Sequence, residues 1–114
     1  MCAEQARKKF HEDNPKPNDY TVYTSHFDPA ANVCYVMVSI IATEKGGISV
    51  SDVVYDAFEG RVYGNYVWIN PQGKKGSEVA PMLCSVKPRG QEEITCKSSQ
   101  QFDDLVEKKF GVGR

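Results

Sequence analysis

A chain of 114 residues with 14 Lys+Arg, 15 Asp+Glu, 4 Cys and 1 Trp predicts a single domain over residues 1–114, because surface scaling gives roughly 6,200 Å² folded against about 18,400 Å² unfolded. A net charge of −1 argues against the clustered excess of Lys and Arg with which nucleic-acid binders displace phosphate counterions; no nucleic-acid partner is expected. No stretch approaches 18 consecutive apolar residues, so no transmembrane segment is predicted.

Residues 3–12 place Ala3, Ala6 and Phe10 on one side of a short amphipathic helix, and Cys2 falls one turn before Ala6 on the same stripe. Its basic run Arg7-Lys8-Lys9 is followed by Glu12 and Asp13 and reads as a solvated helix face. Asn14-Pro15-Lys16-Pro17-Asn18 stops the helix. From Asp19 to Ile69 the chain is rich in Val, Ile, Thr and Tyr, with hairpin signals at Asp28-Pro29, Gly46-Gly47 and Glu59-Gly60. Residues 70–81 read as a loop, in which Gly73-Lys74-Lys75-Gly76 is a weak anion cradle. A last hairpin spans 82–97. Ser98 with Gln101 then makes a capping box, Phe102, Leu105, Val106 and Phe110 form one helical face, and Gly111 supplies the stop. The expected class is α+β: N-terminal helix, a twisted antiparallel β-meander of about five to six strands, and a C-terminal helix, with both helices on the core face of the sheet.

Turn positions predict register. A Gly46-Gly47 turn pairs Ile40 with Val53, Val38 with Tyr55 and Val36 with Ala57; a Glu59-Gly60 turn pairs Ala57 with Val62, Val53 with Tyr66 and Ser51 with Trp68. The two together put Cys34, Val36, Val38, Ile40, Val53, Tyr55, Ala57, Val62, Tyr66 and Trp68 on one core face. In the last hairpin, a five-residue loop opposes Lys87 to Glu93, Val86 to Ile94 and Cys84 to Cys96.

Four cysteines without CxxC or zinc spacing predict two disulfides. Hairpin register joins Cys84 to Cys96, and a helix carrying Cys2 can dock on the face that carries Cys34. Four reduced thiols, or a lipidated Cys2, are the other readings. The segment Met1-Cys2 lacks the apolar core of a signal peptide, so Met1 is either a cytosolic start or stands where such a peptide was removed.

The chemistry candidates are thin. His11 and His26 have no third partner at a metal-binding spacing, and no cofactor motif occurs. Asp52 and Asp56 stand about 13 Å apart along one strand face, too far for paired carboxylate catalysis. A thiol nucleophile at Cys34 needs His26 directly opposite, which a loop over Asp28–Asn32 would supply, yet Cys34 lies on the core face. No catalytic residue is therefore assigned.

The other sheet face mixes rings and charges. Tyr35, Met37, Asp56, Phe58, Arg61 and Tyr63 form the candidate binding surface, for an unidentified protein or small ligand or for a homodimer. The competing expectation is that the C-terminal helix covers this face and makes it a second core layer. The overall expectation is a disulfide-stabilised binding module, with a small enzyme of unrecognised site as the alternative.

The segments SHFDPAANVCYVMV, DAFEGRVYGNYVW and APMLCSVKPRGQEEITCKSSQQFDDLV resemble those of a family of small exported proteins of Gram-negative bacteria. The likeness covers most of the chain after the first helix and rests on the cysteine spacing and the DAFEG-x-x-Y-G block. It implies a removed signal peptide and a periplasmic or secreted location, and it carries over no catalytic residues.

Overall fold

The computed structural model describes residues 1–15, 21–44, 47–70 and 79–113. Helix α1 (Cys2–Asp13) leads into strands β1 (Thr21–Asp28), β2 (Val33–Glu44), β3 (Gly47–Asp56), β4 (Val62–Asn70), β5 (Leu83–Val86) and β6 (Ile94–Thr95), and helix α2 (Ser99–Phe110) closes the chain. The strands form one antiparallel sheet in the order β1 to β6, a meander. Two predicted features, the Gly73-Lys74-Lys75-Gly76 cradle and most of the Asn14–Asn18 breaker, lie outside the described residues.

The helix ends follow the expected capping chemistry. Ser98 Oγ accepts the Gln101 N–H at 3.2 Å, and the Gln101 side chain accepts the Lys97 N–H at 2.7 Å. Gly111 ends α2 at φ +72°, its N–H bonded to the Glu107 carbonyl at 3.0 Å.

The helices lie on opposite faces of the sheet, which corrects the expectation that both share one. On the α1 side, Ala6 and Phe10 pack with Cys34, Val36, Val38, Tyr55 and Ala57, and the Phe10 and Tyr23 rings stack at 4.4 Å. On the α2 side, Phe102, Val106 and Phe110 pack with Val33, Tyr35, Met37, Val54 and Tyr63. Four large apolar groups on α2 need more sheet than α1 leaves free, and the second face supplies it.

Register explains which side chains keep their expected face and which do not. β2 and β3 pair with Val38 opposite Val53 and Val36 opposite Tyr55. That is two residues from expectation, and a shift of two leaves every side chain on its face. Between β3 and β4, Val54 opposes Gly64 but Tyr55 opposes Val62, so β4 carries one extra residue, Tyr63. This bulge reverses the facing of β4 beyond it. Tyr66 and Trp68, expected beside Cys34, therefore belong to the α2 layer. The Trp68 indole N–H donates to the Val79 carbonyl at 2.9 Å. Trp68→Phe keeps most of the packing and loses that bond, and is expected to cost about 1 kcal/mol in denaturant unfolding. No measurable loss would place the indole in water.

Both disulfides form as the sequence predicts, Cys2–Cys34 and Cys84–Cys96, with Cα separations of 5.3 and 5.0 Å. Thr95 opposes Ser85 and Ile94 opposes Val86, as expected. His26 faces Tyr35, and Phe27 faces Cys34. The loop closing this hairpin is one residue shorter than expected, and Cys34 is oxidised, so the His26–Cys34 nucleophile does not exist.

Candidate functional site

The six residues of the predicted binding face do not form a surface. Tyr35, Met37, Asp56 and Tyr63 are buried, and only Phe58 and Arg61 are exposed. The Tyr35 ring meets Tyr63 edge-on at 5.5 Å and Phe110 at 4.8 Å, so α2 fills the space a ligand was expected to take. Burial pushes the Tyr35 phenol up, with Tyr63, Asp28 and Asp56 reinforcing the shift and Arg89 opposing it. The Asp56 carboxylate accepts the Phe58 N–H at 2.9 Å, and the Asp56 backbone N–H donates to the Arg61 carbonyl at 2.9 Å. Asp56 thus holds the β3–β4 turn that presents Arg61.

Arg61 stands at the edge of a cleft of about 440 Å³ that it shares with Lys87 and Arg89. The three cations come from three places: the residue before β4, the residue after β5, and the following turn. Backbone bonds hold these places together. The Lys87 N–H donates to the Tyr63 carbonyl at 2.7 Å, and the Gln91 N–H donates to the Pro88 carbonyl at 3.0 Å, closing a tight turn in which Gly90 sits at φ +73°. The turn is anchored on both sides, by Arg89 Nη1 donating to the Ala31 carbonyl at 3.3 Å and by Lys109 Nζ donating to Gln91 Oε1 at 3.2 Å. Among the described residues, the only ion pair is Lys9–Asp13, on α1. Three cations without a carboxylate partner form an anion-attracting concavity, and the two guanidinium forks can each hold two oxygens of a carboxylate or phosphate. The expected Lys87–Glu93 pairing hid Lys87 from sequence reading. Its membership of the site follows from β4–β5 pairing, in which Val86 opposes Gly64 and so brings Lys87 alongside Tyr63.

A second concavity, of about 240 Å³, runs between α1 and the open part of the sheet. Its floor holds Val38, Ile40, Val53 and Tyr55, and the Lys9–Asp13 ion pair, at 3.5 Å, lies along its wall. Val62 borders this groove and the cationic cleft alike.

Tyr55 is 5 % exposed, and among the described residues its hydroxyl has no hydrogen-bond partner. Burial pushes its phenol up to about 12, with Asp13 and then Tyr23 adding to the shift. An unfolded tyrosine ionises near pH 10, so the stabilisation from the neutral folded form is complete below about pH 10 and is lost as pH rises toward about 12. The expected loss over that window is on the order of 2 kcal/mol. Tyr55→Phe should remove it and leave stability at pH 7 undiminished, since no bond is broken. Denaturant titrations of both proteins at pH 7, 10 and about 12 check this; a clear loss at pH 7 in the variant would reveal a bonded hydroxyl.

His11 is exposed on α1 and His26 lies against Gly111, where a Cβ would come within 2.8 Å of the imidazole. Among the described residues, no group of three or more His, Cys, Asp or Glu side chains is placed to hold a metal ion. No helix of the described residues is long and apolar enough to cross a membrane. Comparison of the chain with models of protein families, with curated proteins and with solved structures finds no match in any of the three.

Proposed function

We propose that this protein is an exported binding module whose cleft at Arg61, Lys87 and Arg89 takes up an oxyanion. The observation that carries this reading is the convergence of three cations from separate segments on one cavity, in a chain of net charge −1. The anchored turn supports it, because side chains held before binding lose less entropy on binding. Export to a periplasmic or secreted location is supported by the two disulfides and the absence of free cysteines, which suit an oxidising compartment.

The test is a titration of the isotope-labelled protein with inorganic phosphate and with acetate, followed through backbone amide shifts. The expected shifts fall on Arg61, Lys87 and Gly90, and affinity weakens between about 20 and about 300 mM NaCl as screening sets in. Arg89→Gln should weaken binding by about tenfold, the worth of one charge-assisted pair. Shifts scattered over the surface, with no response to Arg89→Gln, would remove the cleft from consideration.

A further inference from the structure

Resting on that reading, the geometry points to the chemical class of the ligand: we infer an amphipathic anion, an oxyanion head on an unbranched aliphatic tail, with the tail lying in the α1 groove. Three observations join the two cavities into one site. Val62 borders both, and it is 49 % exposed, so its side chain offers apolar surface at the junction. The register puts Lys87 on the groove side, since it lies two residues beyond Ser85, which opposes Asn65, the partner of Val53, whereas Arg89 reaches the cleft from the α2 side, where its guanidinium meets the Ala31 carbonyl. The lining changes character across Val62, from Arg61, Lys87 and Arg89 on one side to Val53, Val38 and Ile40 beside α1 on the other.

The charges agree with this division. Lys9 and Asp13, the charged residues on the groove wall, are bonded to each other and leave no net charge to hold a second head group. The unpaired positive charge sits at the other end. From β4 to β2 the groove crosses two strand spacings, about 10 Å, enough for several methylenes of an extended chain. Burying one methylene is worth about fourfold in affinity, so a tail seated there should be visible even with one side in water. The concave path between helix and sheet suits a single chain rather than a bilayer, so the free amphiphile is the occupant.

The experiment compares acetate, decanoate and decyltrimethylammonium as monomers, and phosphatidylglycerol vesicles, by calorimetry and amide shifts on the intact oxidised protein. Decanoate is expected to bind at least about tenfold more tightly than acetate, and to shift the amides of Val38, Val53 and Val62, which acetate leaves in place. Ile40→Thr with Val53→Thr should lower decanoate affinity and leave acetate affinity unchanged, whereas Arg61→Gln with Lys87→Gln should lower both. The wild-type amide shifts alone decide the matter if the threonine variant does not fold. Equal affinity for acetate and decanoate, both lost with the cations, overturns the tail and leaves the oxyanion reading standing. Equal affinity for decanoate and decyltrimethylammonium overturns both readings. Binding to vesicles without binding to monomeric decanoate overturns the free amphiphile.

Discussion

Phe102→Ala is expected to lower the free energy of unfolding by about 3–5 kcal/mol, the range for a buried phenylalanine whose cavity cannot close. Phe102 is fully buried and lies between Tyr66, 5.5 Å away centre to centre, and Gly64, on which a Cβ would stand 3.6 Å from the ring. Gly64 has no side chain to move into the space, and the Cys84–Cys96 disulfide ties β5 to the segment entering α2, which limits collapse of the helix onto the sheet. Urea unfolding should show a lower midpoint at an unchanged slope. Leu83→Ala, on the exposed α1-side face, is the control and should cost under about 1 kcal/mol. A comparably small loss at Phe102 would mean that α2 does not form the third layer.

The path from sequence to this layer shows what residue patterns carry and what they leave out. Both ends of α2 are legible because capping is local chemistry: Ser98 and Gln101 at the start and Gly111 at the end do what their side chains and backbone permit in any fold. Both disulfides were legible because one follows from hairpin register and the other from an apolar helical stripe meeting an apolar strand. The facing of β4 was not. Val62, Gly64, Tyr66 and Trp68 alternate regularly, and a bulge at Tyr63 inserts a residue without disturbing that alternation in the sequence. Gly64 was the available signal, since a glycine inside a strand marks a bulge or a close approach, and here it accompanies both.

The candidate site was hidden for a related reason. Arg61 was singled out, but its partners Lys87 and Arg89 join it through β4–β5 pairing across residues whose loop gives no register. The two tyrosines that accompany it on the strand face have the character of contact residues but are buried. Tyr35 and Tyr63 have the mixed apolar and polar character of contact residues, yet the same character lets them pack edge to face beneath α2. Composition of a strand face does not distinguish a surface from an interior when a helix elsewhere in the chain has an apolar face to bury.

Removing the Cys2–Cys34 bond should expose how little else holds α1. The helix has 12 residues, of which only Ala6 and Phe10 are buried, and Met1 at its N-cap makes no side-chain capping bond. Gln5 Nε2 donates to the Ala57 carbonyl at 3.3 Å, a long bond that adds little. A helix this short is marginal in isolation, so docking depends on the covalent link. The chain-entropy treatment gives about 3.7 kcal/mol for a bond spanning 32 residues. Cys2→Ala with Cys34→Ala is therefore expected to destabilise by about that amount and to free the amides of α1 for hydrogen exchange, while those of β2 and β3 stay protected in the folded remainder. The 12-residue span of Cys84–Cys96 gives about 2.9 kcal/mol by the same relation, and its loss should loosen β6 and the start of α2 and leave α1 in place. Exchange measured on the two double variants separates these effects by region. If α1 remained protected without its disulfide, Phe10 stacked on Tyr23 would have to be sufficient to dock it. The α1 groove would then survive reduction; otherwise it exists only in the oxidised protein, because α1 is one of its walls.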